Sequence, residues 1–257
     1  MATRKIWALA ALLAIAGCGG SGGTNLLGNT TGNKNAFTSA FRFTHSTDTI
    51  QLTGGTLAGA TPLGSQFTVE VVIKPTSATG NIWQQWTSGQ MNDVIGFSGG
   101  AFDAVTSPPL TNMPGTALQL DLWTHLAWCY DGANVRLYQN GQLTATYPEA
   151  AGFDPVVAGT ASFIGSNEGV PGDGSVTFTG DLTTMRISNV VRYSGTSFTP
   201  PTQRFTADAN TLFLIDASSL SSVPTSFPVP GSQGLTATPG AGGSSATSPT
   251  LVAYTGF

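Results

Sequence analysis

Alternation between apolar and polar positions is strongest in residues 123–147, where it predicts three strands joined by two tight turns. In the first of these strands Leu126, Trp128 and Tyr130 share one face. The second turn carries Asn140-Gly141, and this dipeptide supplies the positive φ angles that a two-residue hairpin turn requires. The stretch therefore predicts two consecutive β-hairpins.

Shorter runs of the same kind flank this stretch. Phe67, Val69, Val71 and Ile73 alternate toward one side, and Pro75 ends the run. Further strand-like runs cover residues 81–88, 93–98, 101–105, 116–120, 162–165 and 176–189. Many short strands separated by Gly, Pro and Asn turns, without a 3.6-residue period, predict an all-β protein, an antiparallel β-sandwich of the jelly-roll type.

Two blocks of sequence carry a resemblance to a known family. The block W-T-H-L-A-W-C-Y-D-G…V-R-L-Y-Q-N-G-Q-L, in residues 123–143, resembles the central hairpins of laminin G-like domains of the concanavalin A-like lectin/glucanase superfamily. Residues 178–216 are similar to the closing strands of its bacterial and phage-associated branch. The resemblance covers roughly residues 41–216. It implies the concanavalin A-like sandwich, whereas relatives bind sugars, proteins or cations and some are hydrolases, so it implies little about function.

The first 18 residues have the pattern of an export signal. Arg4 and Lys5 precede an apolar run that is too short to span a bilayer comfortably. The small residues before Cys18 resemble a bacterial lipobox, which implies lipid attachment at Cys18. An ordinary secretory signal is the alternative. Gly19 after the cysteine, in place of aspartate, favours a cell-envelope location at the outer membrane or cell surface over the inner membrane, as in lipoproteins generally.

Composition divides the rest of the chain into three parts. Residues 19–40 are rich in Gly, Asn and Thr and predict a flexible tether. Residues 41–217 are predicted to form the laminin G-like domain. Residues 218–257 are a charge-free, low-complexity tail that we expect to be mostly disordered, although residues 251–257 could dock as an edge strand.

Charge excludes one class of partner. Seven basic and thirteen acidic residues lie beyond Cys18, a formal net charge of −6. The basic residues are scattered singly, whereas nucleic-acid binding needs clustered ones, so we expect no nucleic-acid partner. Cys129 has no disulfide partner if Cys18 is acylated, and its position inside a strand predicts a buried, structural thiol.

Catalytic patterns are missing from the sequence. Glycoside hydrolases of this fold place alternating carboxylates on one strand, and here Glu70 stands alone on its strand. A serine triad needs a histidine base. His125 occupies a strand position that is usually structural in the family, and His45 is the other histidine. The sequence therefore predicts a protein that is not an enzyme, with a diverged glycoside hydrolase as an alternative.

A glycine-rich loop is the best candidate for a metal site. Asn167, Glu168 and Asp173 offer oxygen ligands that would suit Ca²⁺. A solvated surface loop is the alternative. Relatives often carry Asp-Glu on the following strand, where this chain has Thr183-Thr184, so any role of those acids does not transfer.

Two tryptophans form a candidate carbohydrate platform. Trp83 and Trp86 face opposite ways on a strand, so one of them could face outward near amides and the carboxylate of Asp93. Aromatic rings beside polar groups suit sugar binding. The alternative is that both tryptophans fill the sandwich core.

These patterns together predict a surface-tethered, non-catalytic recognition module that binds a glycan or an extracellular protein. The protein would meet the membrane only through its N-terminal lipid. A structural envelope component that associates with copies of itself is the second hypothesis.

Overall fold

The computed structural model describes residues 36–53, 65–87, 90–98, 101–106, 111–149, 161–165, 177–229 and 235–256, all within the unit Asn35–Phe257. Within 85–106, and at 111–112, 161 and 227–228, the description is limited to the backbone.

The described residues form short strands and one turn of 3-10 helix, Ala217–Ser219. In chain order the strands are β1 Ser39–Phe43, β2 Thr49–Thr53, β3 Phe67–Pro75, β4 Gly80–Thr87, β5 Gln90–Ser98, β6 Ala101–Thr106, β7 Thr111–Ala117, β8 Thr124–Tyr130, β9 Asn134–Gln139, β10 Gln142–Pro148, β11 Ala161–Gly165, β12 Gly180–Ser188, β13 Thr211–Asp216, β14 Phe227–Pro228, β15 Thr236–Pro239 and β16 Thr250–Ala253.

These strands build two antiparallel sheets. Sheet 1 has the order β10-β9-β8-β3-β12-β1-β16, and β13 pairs with β12 beside β1. Sheet 2 has the order β14-β15-β2-β11-β4-β5-β6-β7. The predicted all-β, antiparallel sandwich is confirmed.

Side chains from both sheets meet in one apolar core. Phe67 and Trp128 pack edge to face at a centroid distance of 5.2 Å, a geometry that aromatic quadrupoles favour. The predicted inward positions of β3 and β8 lie in this core. Its large buried side chains include Phe41, Phe43, Phe67, Trp83, Trp128, Tyr130, Phe178 and Phe213.

The predicted hairpin between β9 and β10 turns at Asn140 and Gly141, which have φ angles of 48° and 76°. A side chain at Gly141 would meet the carbonyl oxygen of Phe198 at 2.1 Å. Glycine therefore permits both the turn and the close approach of the segment around Phe198.

Sheet 1 is covered on the face turned away from sheet 2, here called the outer face. Residues 189–207, the cover segment, cross this face. Thr68 Oγ1 donates to the Val190 carbonyl at 2.8 Å and accepts from the Arg192 amide at 2.9 Å. Tyr138 OH donates to the Gly195 carbonyl at 2.8 Å. Every residue of β8 is consequently buried, on both faces of the strand.

The C-terminal tail differs from its predicted disorder. β15 pairs with β2, and β16 pairs with β1 as an edge strand of sheet 1. Beyond β16, Tyr254 packs against Phe37 and Trp123, with ring centroids at 5.3 and 4.6 Å. The reason is physical: an open sheet edge pairs through backbone groups, so a short strand from a low-complexity segment can dock there, and Leu251 and Val252 of β16 also pack against apolar clusters.

The N-terminal boundary also differs slightly from residue 41. β1 begins at Ser39, and Ala40, which was predicted to lie in the tether, is fully buried. Within the part of the chain that the structure describes, no helix has the length and apolar character that crossing a membrane requires.

Candidate functional site

One end of the outer face, beyond the cover segment, carries three charged residues in a row. Strand pairing places Arg42 of β1 opposite Asp181 of β12, and Asp181 opposite Lys74 of β3. Directly opposed residues of neighbouring strands share a face. Since Phe41, Phe43, Ile73 and Leu182 point into the core, the three charged residues point outward. The row therefore reads cation, anion, cation.

Asp181, the carboxylate in this row, binds Arg42 with both of its oxygens. Arg42 Nε donates to Asp181 Oδ1 at 2.7 Å, and Arg42 Nη2 donates to Asp181 Oδ2 at 2.9 Å. This bidentate geometry is the strongest form of an arginine–carboxylate pair. Asp181 is buried, whereas 45% of the Arg42 side chain remains exposed. The hydrogen bond to Asp181, and then its charge, raise the pKa of Arg42 above its ordinary value.

The row lies in a cleft of about 500 Å³. Threonines line much of it, and Asp121 adds a second carboxylate. Backbone hydrogen bonds fix its walls: the Thr76 amide donates to the Thr179 carbonyl at 3.0 Å, and the Asp121 amide donates to the Pro75 carbonyl at 2.8 Å. The lining residues are Arg42, Phe43, Thr44, Lys74, Thr76, Asp121, Thr179, Gly180 and Asp181. A cleft of hydroxyls and charges is suited to a polar, hydroxylated ligand.

One wall of the cleft is held by the C-terminal tail. The buried Asp48 accepts hydrogen bonds from the amides of Thr44 and His45 at 2.7 and 2.9 Å, through Oδ2. Its other oxygen accepts from Thr247 Oγ1 at 2.8 Å. Thr247 belongs to the segment between β15 and β16. The tail thus takes part in positioning Thr44.

A second polar cluster lies under the cover segment. Glu70 Oε1 accepts from Arg186 Nε at 2.8 Å, and Oε2 accepts from Tyr193 OH at 2.8 Å. His125 Nε2 lies 3.2 Å from Oε2. Glu70 and His125 are both inaccessible to solvent.

The neighbours of Glu70 favour its ionised form. Burial alone would raise the pKa of Glu70. The hydrogen bond and charge of His125, the charge of Arg186 and the hydrogen bond of Tyr193 outweigh that effect and hold the pKa of Glu70 below its ordinary value. Burial, followed by the charge of Glu70, raises the pKa of Tyr193. The cluster therefore holds a buried, ionised carboxylate in place beneath the cover segment.

Aromatic rings seal the cluster from water. Tyr193 and Phe198 stack at a centroid distance of 3.6 Å, and His125 meets both rings edge-on. The Arg186 guanidinium lies 4.7 Å from the centre of the Phe205 ring, a cation–π contact. The outer face is thus divided into a sealed part and the open cleft.

The described lining of the cleft contains none of the site residues that the sequence predicts. Trp83 is fully buried in the core and presents no face to solvent, as expected if it fills the sandwich. For Trp86 and Asp93 the description stops at the backbone of β4 and β5. Cys18 and the calcium-loop residues Asn167, Glu168 and Asp173 lie outside the described residues.

Sequence reasoning missed both clusters. Glu70 is the one carboxylate of β3, as the sequence indicates, but His125 and Arg186 on the two flanking strands were not recognised as its partners. Alternation indicates on which face of its strand a residue lies, but it does not indicate which strands are neighbours in the sheet. Among the described residues, no group of three or more His, Cys, Asp and Glu side chains is arranged to hold a metal ion.

A family model supplies the identification. The model for a laminin G domain, described as part of the concanavalin A-like lectin/glucanases superfamily, matches residues 44–194. The chain belongs to this family. The laminin G-like match includes the cleft residues Thr44, Lys74, Asp121 and Asp181, and it also covers the buried Glu70 cluster. No curated protein sequence matches the chain.

Solved structures share the fold. A Bacteroides ovatus protein, described as a candidate carbohydrate-binding protein, has a TM-score of 0.62 at 16% identity, over 86% of this chain and 61% of that protein. The present chain thus spans about three fifths of that protein's length. A heptameric pentraxin of Limulus polyphemus has a TM-score of 0.48 at 20% identity, over 63% of this chain and 79% of the pentraxin. Domains LG4-5 of the mouse laminin α1 chain have a TM-score of 0.45 at 10% identity, over 65% of this chain and 47% of the mouse chain.

Proposed function

We propose that this laminin G-like protein is a non-catalytic recognition module and that it binds a glycan in the open cleft of sheet 1. The observation that carries the proposal is the cleft itself, a concave site of about 500 Å³ lined by three threonines and four charged residues. Threonine hydroxyls both donate to and accept from sugar hydroxyls, and carboxylates accept hydrogen bonds from them. Membership of a lectin-like family and a structural neighbour described as a candidate carbohydrate-binding protein support the same function.

The cleft's carboxylates support recognition over hydrolysis. A glycosidase needs two carboxyl groups that are free to act on the scissile bond. Both oxygens of Asp181 already accept hydrogen bonds from Arg42. Asp121, the other carboxylate of the described lining, would therefore act alone. Release of reducing ends from a bound polysaccharide, abolished by Asp121→Asn, would contradict the non-catalytic function.

A blocked cleft gives the direct test. The full chain, purified in mild detergent, is screened on a glycan array and its best ligand is titrated by calorimetry. Thr76→Trp places a large ring in the mouth of the cleft, because Thr76 is exposed there. We expect it to weaken binding by at least tenfold. Thr202→Trp is the matched control, since Thr202 is exposed on the cover segment outside the cleft.

The outcomes separate the hypotheses. Equal binding by Thr76→Trp and the native chain would show that the glycan binds outside the cleft. Absence of glycan binding by the native chain would overturn the proposal and leave an extracellular protein as the partner. Repeating the array with EDTA tests the loop of Asn167, Glu168 and Asp173, because only a Ca²⁺-dependent site would lose binding there.

We place the module at the cell envelope, outside the cell. The lipobox-like sequence around Cys18 supports a lipid anchor, and the residues that follow support a spacer between membrane and sandwich. Cys18→Ser should abolish incorporation of a labelled fatty acid and shift the protein from the membrane fraction to the soluble one. Unchanged fractionation of this variant would argue for an ordinary export signal.

A further inference from the structure

The charge row of the cleft is unbalanced. Lys74 lies directly opposite Asp181 across β3 and β12, the position in which a cross-strand ion pair normally forms. Asp181 instead turns both oxygens to Arg42 on the other side. In the part of the chain that the structure describes, Lys74 forms no ion pair with any carboxylate. Within the described residues, the charge of Lys74 is therefore left without a carboxylate partner inside a polar cleft.

We propose that Lys74 binds an acidic group of the ligand, so that the cleft selects glycans carrying a carboxylate or a sulfate. This inference rests on the proposed glycan-binding function and names the class of glycan. The ammonium group of lysine is a compact charge with three donors, and an anionic oxygen is its best partner. The side chain is half-buried, which reduces solvent screening of that attraction.

Arg42 provides a second donor for the same group. Its Nε and Nη2 are occupied by Asp181, so the N–H groups of Nη1 remain, and the side chain is partly exposed in the cleft. Asp121 lines the cleft too and would repel an anion that approached it closely. The acidic group should accordingly sit on the side of Lys74 and Arg42, while neutral hydroxyls of the ligand contact Asp121.

The cation is unusual for this chain. Lys74 is the sole lysine after residue 34, and the sequence beyond Cys18 carries a formal net charge of −6. A general excess of basic residues therefore does not explain a cation in the cleft. Lys74 is the cation of the cleft whose charge Asp181 does not bind, so substitution of this side chain tests the proposal.

Matched polymers and matched variants test it. The full chain is titrated with polygalacturonate and its methyl ester, and with dextran sulfate and dextran. Lys74→Met keeps most of the unbranched side chain without its charge, Lys74→Arg keeps the charge, and Arg136→Met makes the same change in net charge outside the cleft. A charge-assisted hydrogen bond is worth about tenfold or more in affinity.

We expect an acidic polymer to bind at least tenfold tighter than its neutral counterpart. Lys74→Met should reduce its affinity to that of the neutral polymer, whereas Lys74→Arg and Arg136→Met retain most of it. The polygalacturonate and dextran sulfate arms show whether carboxylate or sulfate is preferred. Because Lys74 forms no ion pair among the described residues, we expect Lys74→Met to unfold at the same temperature as the native chain, so that a loss of affinity reports the ligand contact.

Two results would overturn the inference, and they differ from failure of the proposed function. If Lys74→Met binds the acidic polymer as tightly as the native chain, Lys74 does not contact the acid. If neutral and acidic polymers bind equally and Thr76→Trp blocks both, glycan binding stands and acid selectivity fails. If the native chain binds no polymer or array glycan, the proposed function fails and this inference with it.

Discussion

Arg186 lies directly opposite Glu70 on neighbouring strands, and its Nε donates to Glu70 Oε1 at 2.8 Å, with the carboxylate inaccessible to solvent. The same guanidinium donates from Nη1 to the Thr206 carbonyl at 3.1 Å. The ion pair therefore links two strands of sheet 1 to the cover segment. Tyr193 adds a second link, since its hydroxyl donates to the same carboxylate.

Replacing Glu70 with glutamine should destabilise the fold strongly. The change would leave Arg186 beneath the cover segment without its carboxylate, and breaking a buried pair in this way costs about 3–5 kcal/mol. Urea unfolding at pH 7 measures the loss. Glu149→Gln is the control, because Glu149 forms no ion pair within the described residues, and it should change stability by less than about 0.5 kcal/mol. Equal effects of both substitutions would show that the cluster contributes no stability.

The stabilising effect of Glu70 should depend on pH in one direction. Its pKa in the folded protein lies below its ordinary value, so the folded state favours the ionised form. The contribution is complete above the unfolded-state pKa of about 4.3 and is lost as pH falls through the lower folded-state pKa. The stability difference between the native chain and Glu70→Gln should therefore shrink between pH 5 and pH 3. A difference that grew on acidification would reverse the sign we assign.

How far the sequence predicts this molecule depends on which interactions are local. Alternation in β8 and the Asn140-Gly141 turn are local signals, and both appear in the structure. The partners of Glu70 lie 55 and 116 positions away in sequence, so no spacing rule brings them together. The row of Arg42, Asp181 and Lys74 was missed for the same reason, because β1, β12 and β3 are remote in the sequence and become neighbours only in the folded sheet. Edge docking of residues 251–257 was only an alternative to disorder, and the pairing of β15 with β2 was missed, because edge pairing depends on backbone groups and leaves little trace in composition.

The thiol of Cys129 should be unreactive in the folded protein. Burial raises the pKa of this thiol to about 12, and the side chain is closed to solvent. Modification by a disulfide reagent at pH 8, followed peptide by peptide, should be absent at Cys129 until urea unfolds the chain. An exposed thiol introduced by Thr202→Cys serves as the positive control. Rapid modification of native Cys129 would show that the cover segment opens frequently.

Alanine at Gly180 should disturb the fold and the cleft together. Gly180 has a φ of 141°, and a Cβ there would meet the Lys74 carbonyl oxygen at 2.4 Å and the Pro75 Cα at 2.9 Å. We expect a loss of more than about 1 kcal/mol in unfolding free energy and weaker glycan binding. Gly195→Ala is the matched control, since the nearest atom to its Cβ is 3.6 Å away. Native-like stability of Gly180→Ala would mean that β3 and β12 separate easily at this end.

The C-terminal tail should influence the cleft through Asp48. Thr247→Val keeps the shape of the side chain but removes the hydroxyl that donates to Asp48 Oδ1 and also bonds to Thr47 Oγ1, whereas Thr247→Ser retains the hydroxyl. Loss of this hydrogen bond should cost about 1 kcal/mol and loosen the loop that presents Thr44. Hydrogen exchange at the Thr44 and His45 amides should accelerate in Thr247→Val, with a few-fold loss of glycan affinity, and Thr247→Ser should behave as the native chain. If valine and serine give the same exchange rates, the tail does not act on the cleft through this hydroxyl, and its contribution is limited to strand pairing with β1 and β2.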